Sequence, residues 1–300
     1  MLDLSVIILT YNEELHIRRC LENVCPIAKD VFVIDCFSTD RTQEICTEFK
    51  NVRVVEHAWP GNQAAQFNWA LDNVEISTEW ILRLDADEYL LPELVEELKK
   101  EIPTLPQEVT GIELKRRHIF MDKWVKRGIY PVVMMRMFRN GEGRYDNRLM
   151  DEHISLQSGH SITLKNDFCD HSLISISDYC RKHINYAQRE ACEVLTETYQ
   201  LREVPVQATH LGKQATAKHQ TKSGYNKLPL FLRSFAYFLY RYIIRGGFLD
   251  GKEGFLFAFI QGWWYRTLVD ANILACKKAC GNDKERIKEY IKKEWGIKVN

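Results

Sequence analysis

The sequence has no surplus of charge of either sign. Lysine and arginine together number 41, aspartate and glutamate also number 41, and the formal net charge is zero. A protein that binds nucleic acid through a general basic field needs an excess of cations. We therefore expect no nucleic-acid partner, although local patches of either sign are compatible with a balanced total.

The sequence shows no closely paired cysteines, and we do not expect its first residues to be a secretory leader. The nine cysteines include no C-x-x-C pair, and the amino terminus lacks a basic segment followed by a long apolar run. We expect reduced thiols that mostly fill the core of a cytoplasmic protein. Residues 1–9 then form a buried strand.

Glycine-rich phosphate loops are absent too, since neither G-x-G-x-x-G nor G-x-x-x-x-G-K-[ST] occurs. Their absence argues against a Rossmann dehydrogenase and against a P-loop protein. With 45% hydrophobic and 27% charged residues, the composition is that of a globular protein and excludes collagen, disorder and coiled-coil arrays. Its 300 residues suffice for one large domain or two small ones.

The first third of the chain alternates between two hydrophobic periods. Short apolar runs, rich in β-branched residues, predict strands at residues 6–9, 31–34, 52–55 and 80–82. Apolar residues at helical spacing predict helices at residues 17–24, 45–49, 64–74 and 92–98. Strands buried on both faces and separated by helices indicate βαβ units around a parallel sheet.

The pattern changes after about residue 109. Residues 112–115 alternate and residues 132–138 are extended and apolar, which predicts mixed or antiparallel strands that complete the sheet. After about residue 177 the pattern is helical, with a polar linker at 200–225 and one lysine-rich helix at 277–293. We therefore predict an α/β domain, a mixed sheet flanked by helices, at residues 1–176 and a helical region at 177–300.

Residues 228–265 are rich in aromatic side chains. Thirteen of the 34 aromatic residues lie between 231 and 265, interleaved with Arg233, Arg241, Arg245 and Lys252. No stretch there reaches about 18 uncharged apolar residues, which argues against a membrane span. Aromatic rings with arginines suit the bilayer interface. A helical hairpin packed on the first domain explains them equally well.

Polar side chains follow the predicted strands, where open α/β sheets bind ligands. Two carboxylates, Asp85 and Asp87, come directly after an apolar strand and cannot both be buried cheaply without a cation. Oxygen ligands on a short turn suit Mg²⁺ or Mn²⁺, and a pyrophosphate would also need a cation such as Arg83. Alternatively, one aspartate caps the helix that begins near Pro92 while the other is solvated.

The turn after the second strand carries Asp35 and Asp40. Their carboxylates can accept hydrogen bonds from a base or from a ribose hydroxyl. Alternatively, Ser38, Thr39 or Asp40 caps the next helix.

Three segments together resemble the signatures of family 2 glycosyltransferases: residues 10–13 (TYNE), Asp35 with residues 40–42 (DRT), and residues 84–88 (LDADE). The resemblance covers roughly residues 3–160. It implies a GT-A fold and an inverting enzyme with a nucleotide-diphosphate sugar, expected to be a UDP-sugar. It assigns the metal to Asp87 and Asp85, and the donor site to Thr10, Tyr11, Glu13, Asp35, Asp40, Arg83 and Asp85.

A narrower resemblance lies downstream. Residues 179–187 (YCRKHINYA) and 246–251 (GGFLDG) are similar to the C-terminal part of bacterial lipopolysaccharide-core β-glucosyltransferases and related capsule enzymes. This likeness implies a saccharide or lipid-linked acceptor at the inner face of the cytoplasmic membrane, with peripheral membrane contact.

Inverting transfer needs a base on the acceptor side of the anomeric carbon. Glu152 is the preferred candidate and Asp151 the second, because residues 150–153 (MDEH) resemble the corresponding segment of that subfamily. Alternatively, one of these carboxylates pairs with Arg148 or His153. His171 resembles a late metal-side or phosphate-side histidine, and Trp124 stacks on a sugar or packs in the core.

Two other functions are alternatives to sugar transfer. A sugar-phosphate nucleotidyltransferase would need a glycine- and arginine-rich loop after the first strand, and residues 11–14 (YNEE) supply neither. The intact pair Asp85 and Asp87, together with the carboxylates of Asp151 and Glu152, argues against a non-catalytic, membrane-peripheral scaffold that still binds nucleotide.

Overall fold

The structure is a computed structural model that describes residues 1–145, 153–202, 224–226 and 228–299. Its strands are β1 (Leu2–Thr10), β2 (Ala28–Asp35), β3 (Val52–Glu56), β4 (Trp80–Asp85), β5 (Glu88–Leu90), β6 (Val109–Phe120), β7 (Lys123–Trp124), β8 (Val132–Arg139), β9 (Gly143–Tyr145), β10 (Ile154–Leu156) and β11 (His160–His171).

Helices alternate with the first strands and then dominate the C-terminal part. They are α1 (Ile17–Val24), α2 (Thr42–Cys46), α3 (Gln63–Asn73), α4 (Pro92–Glu101), α5 (Ile176–Tyr199), α6 (Leu232–Leu239), α7 (Gly251–Phe257), α8 (Tyr265–Cys280) and α9 (Lys284–Trp295). Short π-helical segments, Tyr240–Ile244 and Ala258–Trp264, extend α6 and join α7 to α8, and 3-10 turns lie at Ile102–Thr104 and Gly247–Asp250.

One mixed sheet organises the first part of the chain. Its strand order is β3-β2-β1-β4-β8-β6-β11-β5, with β7 paired to β6, and β9 and β10 form a separate pair. The strands β1 to β4 are parallel to one another, while β8 runs antiparallel to β4 and β6. The predicted parallel βαβ units and the predicted mixed continuation are confirmed.

Apolar runs bury the sheet on both faces. On one face, α1 contributes four buried residues at helical spacing, Ile17, Cys20, Leu21 and Val24. On the other, Phe67 and Ala70 of α3 pack against a separate cluster. Each large side chain that is fully buried stabilises the fold by about 1.5–3 kcal/mol, which is why the local periodicity of residues 1–100 specifies these layers.

Local capping fixes where the helices begin. The Asn62 side chain accepts a hydrogen bond from the Ala65 N–H at 2.7 Å, and Ser175 accepts one from the Asp178 N–H at 3.1 Å. Pro92 occupies the first turn of α4, where its missing N–H leaves no hydrogen bond unmade.

The C-terminal helices form a second core. Helix α5 packs on α8, and α9 closes the cluster with Ile287 and Ile291. Arg233 and Asp270 make a buried ion pair, with Nε and Oδ1 2.7 Å apart. A smaller cluster that includes Phe120 and Phe257 joins these helices to the sheet.

The single helix predicted at 277–293 is wrong. Helix α8 ends at Cys280 because Gly281 adopts φ +62°, a left-handed conformation that favours glycine. Asp283 then caps α9 by accepting hydrogen bonds from the N–H groups of Glu285 and Arg286. Most of the predicted linker at 200–225 lies outside the described residues.

The cysteines are placed as the sequence predicts. All nine cysteines are free, and six of them are buried, as predicted. Among the residues described, no helix combines the length and the hydropathy that crossing a bilayer requires.

Candidate active site

The carboxyl ends of β1, β2, β3 and β4 meet at one edge of the sheet. Thr10 lies opposite Asp35, Asp35 lies opposite Glu56, and Leu9 lies opposite Asp85. A cleft runs along this edge, in two overlapping parts of about 920 and 870 Å³. The predicted convergence of polar residues is therefore present, and α5 forms the opposite wall of the cleft.

Asp35 is buried, and protein groups use its hydrogen-bonding capacity. It accepts hydrogen bonds from the Thr10 hydroxyl at 2.8 Å, the Ser38 backbone N–H at 2.7 Å and the Gln43 amide at 2.8 Å. Asp35 and Thr10 thereby connect β1 to the loop that follows β2. Thr10 also lines the cleft, whereas Asp35 fixes the shape of its wall.

Asp40 has a similar position behind the loops. It accepts from the Glu14 N–H at 3.0 Å and from the N–H and hydroxyl of Thr42 at 2.9 and 2.5 Å. Burial raises its pKa, but these hydrogen bonds outweigh burial and hold the pKa below its usual value. Asn12, at φ +56°, accepts from the Thr39 N–H at 2.8 Å and so joins the two loops.

Aromatic side chains stand at the mouth of the cleft on this side. Tyr11 exposes 59% of its surface and Trp59 exposes 43%, and both line the cleft. Tyr11 was a predicted donor-site residue; Trp59 was missed, because an isolated tryptophan after a strand carries no signal of its own.

Asp85 is held between two buried arginines. Its carboxylate oxygens lie 2.7 and 2.8 Å from the guanidinium of Arg83 and 3.7 Å from Arg136. Arg136 also pairs with the buried Glu88 at 2.5 Å. The predicted residues Arg83 and Asp85 are thus brought together, and each is the other's partner.

Asp87 is in a different electrostatic position. Its carboxylate makes no hydrogen bond and no ion pair with any residue that the structure describes. Burial and the neighbouring carboxylates of Asp170 and Asp85 raise the pKa of Asp87 to about 7, although Lys182 opposes the shift. Negative charge therefore collects at this point without a matching protein cation in direct contact.

This arrangement fits a divalent cation. Within the described ranges, no group of three or more acidic, histidine or cysteine side chains forms a complete metal site. Mg²⁺ and Mn²⁺ that act on phosphates usually take one or two carboxylates from the protein and complete their shell with water and phosphate oxygens. Burial and like charges disfavour the ionised form of the Asp87 carboxylate, and a divalent cation next to it would favour that form. Asp87 is therefore a suitable ligand for such a cation.

Two more charged residues lie near Asp87, one of them predicted and the other not. Glu13, which was predicted, accepts a hydrogen bond from His16 Nδ1 at 2.6 Å, while His16 Nε2 accepts from the Leu173 N–H at 2.8 Å. Lys182 of α5 was missed. Burial lowers its pKa, but Tyr186, Asp87 and Glu13 raise it above the usual value, so it stays charged.

Other candidates have structural surroundings. Both ring nitrogens of His171 are engaged, Nδ1 with Arg19 at 3.1 Å and Nε2 with Asp122 at 3.0 Å. The Arg117 guanidinium lies 3.8 Å from the centre of the Trp124 ring, and Trp124 is not among the residues that line the cleft. His171 is thus held by protein groups, and Trp124 packs on Arg117 outside the lining of the cleft.

The predicted bases Glu152 and Asp151 lie outside the described residues, as does Arg148. His153, next to Glu152 in the sequence, lines both parts of the cleft.

Fold and site together define an α/β protein with a cleft at the carboxyl edge of its sheet, in which carboxylates and buried arginines lie side by side. The model of "Glycosyl transferase family 2" matches residues 5–171, which is more than half of the chain. The chain belongs to this family and is a glycosyltransferase. Family membership favours sugar transfer over both the nucleotidyltransferase and the non-catalytic scaffold.

Individual relatives agree with this assignment. The chain is 29% identical over 150 residues to the lipopolysaccharide core biosynthesis glycosyltransferase LpsC of Rhizobium meliloti (strain 1021), covering 48% of this chain and 54% of that protein. It is 38% identical over 96 residues to an uncharacterized glycosyltransferase of Rickettsia bellii (strain RML369-C), covering 32% and 31%. The matches thus span about half or less of these relatives.

A solved structure supports the fold. The mannosyltransferase PcManGT from Pyrobaculum calidifontis, in complex with GDP-Man and Mn²⁺, covers 91% of this chain and 87% of its own, with a TM-score of 0.50 and 14% identity. The predicted GT-A fold, a mixed sheet flanked by helices with C-terminal helices, is confirmed.

Proposed function

We propose that this chain is an inverting hexosyltransferase that uses a UDP-sugar and acts in the synthesis of a bacterial surface polysaccharide, either lipopolysaccharide or capsule. Its acceptor is a hydroxyl of a glycan or of a lipid-linked saccharide. The proposal rests above all on Asp87, which faces the cleft beside the donor loops with its negative charge unmatched. The similarity to LpsC supports the lipopolysaccharide assignment.

The donor occupies the side of the cleft formed by the loops after β1 and β2. Tyr11 and Trp59 offer exposed ring faces to the nucleobase. Hydrogen bonds of Thr10, Asp35 and Asp40 hold the loop that carries Tyr11 against the loop after β2. The remaining predicted donor residues, Glu13, Arg83 and Asp85, line the cleft next to the diphosphate and ribose positions.

Asp87 is the main proposed ligand for Mg²⁺ or Mn²⁺, with Asp85 as the second. A bound divalent cation supplies positive charge to the departing diphosphate, and PcManGT was solved with Mn²⁺. Lys182 faces the same carboxylates from α5. It adds a fixed positive charge on the far side of the cleft.

Glu152 is the proposed base, and Asp151 the second candidate. The carboxylate takes the proton of the acceptor hydroxyl as that oxygen attacks the anomeric carbon, and the bond from that carbon to the UDP oxygen breaks. The position of His153 in the cleft supports this assignment. Attack from the face opposite UDP inverts the anomeric centre.

A nucleotide panel tests the donor site. Thermal melting is measured with UDP-, GDP- and dTDP-sugars, with and without Mn²⁺, on the wild type, on Asp87→Ala and on Asp30→Ala. Asp30 pairs with Arg53 near the start of β2, away from the cleft. We expect UDP-sugars to raise the melting temperature only with Mn²⁺, in the wild type and in Asp30→Ala but not in Asp87→Ala. Stabilisation by GDP-sugars alone would contradict the proposed donor.

We also propose that residues 1–176 form the catalytic part and residues 177–300 a helical part. Peripheral contact of the helical part with the membrane belongs to the same proposal. Exposed apolar residues form one surface on the helical part: Ile243, Ile244, Phe248, Leu249 and Phe255. The Tyr242 ring joins it, 6.3 Å from Phe248 and 5.6 Å from Phe255. Arg245 and Lys252 are exposed beside it, as anionic lipid requires.

Vesicle flotation tests the membrane contact. The wild type is expected to float with anionic vesicles, and Ile244→Glu combined with Leu249→Glu is expected to abolish flotation. Leu15→Glu is the control, since Leu15 is as exposed as Leu249 but lies in the first domain. If the wild type stays at the bottom of the gradient, the membrane proposal is wrong, whereas the donor proposal is unaffected.

A further inference from the structure

One wall of the cleft contains a buried cation that sugar transfer from the donor does not use. Arg241, in the segment Tyr240–Ile244, exposes only 4% of its surface. It lines the same cleft as Asp87, on the side of the C-terminal helices. Its place in the wall is enclosed by Tyr237 and Phe257, whose ring centres lie 5.6 and 5.1 Å from its guanidinium carbon.

No carboxylate neutralises this guanidinium among the residues that the structure describes. Its buried Nε has no hydrogen-bond partner, and the Tyr237 side chain next to it favours its charged form. Burial and the nearby charge of Arg266 both lower the pKa of Arg241. A charge kept from water without a counter-ion destabilises the fold.

The other buried arginines show that this chain otherwise supplies counter-ions. Five arginines are buried in the described part of the chain, and four of them have a carboxylate partner. Those pairs are Arg83–Asp85, Arg136–Glu88, Arg139–Glu79 and Arg233–Asp270. Arg241 is the exception, and it is an exception in the wall of the active-site cleft.

Two other basic side chains line the same part of the cleft, and both have acidic partners. Arg266 pairs with Glu190 at 2.5 Å. His118 Nδ1 lies 3.1 Å from the Asp170 carboxylate. Arg241 is therefore the arginine of this wall that lacks a carboxylate partner among the residues described.

We propose that Arg241 binds an oxyanion of the acceptor, a phosphate or a carboxylate that is carried on the saccharide or on its lipid linkage. A guanidinium matches both groups because its planar N–H donors can contact two oxygens at once. The bound acceptor then supplies the counter-ion that the fold omits. This inference rests on the proposed function, since it takes the second substrate of the cleft to be an acceptor saccharide.

The test measures binding of small anionic sugars when the donor site is already filled. Ligand-observed NMR titrations with glucose 6-phosphate, glucuronate and glucose are carried out in the presence of saturating UDP and Mn²⁺. We expect at least one anionic sugar to bind the wild type, and Arg241→Gln to weaken it by about ten- to a hundredfold. Selective binding of glucose 6-phosphate identifies a phosphate, and selective binding of glucuronate identifies a carboxylate.

Arg181→Gln is the matched control, because Arg181 is exposed on α5, pairs with Asp178 and does not line the cleft. It is expected to bind the anionic sugar as the wild type does. Glucose, which is uncharged, should not distinguish Arg241→Gln from the wild type. Equal affinity of Arg241→Gln and the wild type for both anionic sugars, or binding of neither, overturns the proposal.

Melting temperature separates a binding role from a structural one. Because Arg241→Gln removes a buried charge without a counter-ion, it should melt no lower than the wild type, and glucose 6-phosphate or glucuronate should stabilise the wild type alone. A large loss of stability would mean that Arg241 serves the fold, and would contradict the proposal. Failure of UDP and Mn²⁺ to bind would contradict the proposed function instead, and the same titrations without nucleotide would still measure the anion site.

Discussion

The two aspartates at the end of β4 should change stability in opposite directions when each is replaced by asparagine. Asp85 neutralises Arg83 and lies 3.7 Å from Arg136, both of which are buried. Asp87 has no direct partner in the described residues, and burial with the charge of Asp170 raises its pKa to about 7. Asparagine keeps the shape of the side chain, so each variant isolates the effect of the charge.

The magnitude for Asp87 follows from its pKa. A rise from 3.8 to about 7 corresponds to about 4 kcal/mol of destabilisation above pH 7, because the unfolded chain ionises this carboxyl more readily than the folded chain does. Stability contributed by this group is therefore lost as pH rises from about 4 to 7. Partial access of solvent reduces the effect, and we expect Asp87→Asn to gain about 2 kcal/mol, or roughly 4 °C in melting temperature.

Asp85→Asn should do the reverse. It leaves Arg83 buried without its carboxylate, and breaking a buried pair costs about 3 kcal/mol. Both variants make the same chemical change, aspartate to asparagine, at positions two residues apart. A general effect of losing a carboxylate at this edge of the sheet therefore cannot explain shifts of melting temperature in opposite directions.

The assay is thermal melting of the metal-free protein in EDTA, at pH 8 and at pH 5. Asp87→Asn should melt above the wild type at pH 8, and its advantage should shrink at pH 5, where the folded wild type already holds the proton. Mn²⁺ should stabilise the wild type, by about 2.7 kcal/mol at a hundredfold excess over Kd, but not Asp87→Asn. If Asp87→Asn melts below the wild type in EDTA at pH 8, the Asp87 carboxylate stabilises the metal-free protein. The argument for a cation at this position then fails.

Two further predictions concern charges on the helices. Lys182→Gln should weaken binding of UDP with Mn²⁺ about tenfold by calorimetry, since it removes a positive charge that faces Asp87 across the cleft. Lys182→Arg keeps this charge and should retain most of the affinity. An unchanged Kd in Lys182→Gln would exclude a role of Lys182 in donor binding. Asp270→Asn should lower unfolding free energy by about 3 kcal/mol in urea, because it leaves Arg233 buried and unpaired, and a loss below about 1 kcal/mol would contradict the buried pair.

The layers of the first domain could be predicted from the sequence because the information is local. A run such as residues 6–9 is apolar at every position, and only a strand buried on both faces uses such a run well. Helix α1 shows its buried stripe at the expected spacing. Once the strands are parallel, their carboxyl ends must share an edge, and so Thr10, Asp35 and Asp85 had to meet.

What local patterns could not specify is which polar group is already satisfied. Asp35 reads as a ligand for a base, yet its oxygens accept from Thr10, Ser38 and Gln43. Conversely, Lys182 reads as one cation on a polar helix, and only the packing of α5 on the sheet brings it to Asp87. The break at Gly281 was missed for a simpler reason, since the lysines on both sides of it continue a helical pattern.

The zero net charge of the whole chain says nothing about the charges in this cleft. Its carboxylates gather around Asp87, Arg83 and Arg136 lie beside Asp85, and two more cations, Arg241 and Lys182, lie on the helices opposite. A chain that binds two anionic substrates side by side needs such an arrangement. The diphosphate of the donor would meet the carboxylates through a metal cation, and the anionic group of the acceptor would contact the Arg241 guanidinium directly. The opposite responses expected of Asp87→Asn and Asp85→Asn, and the loss of anion binding expected of Arg241→Gln, are two measurements of the same polarity. If only the first is found, the cleft is polarised for its donor alone.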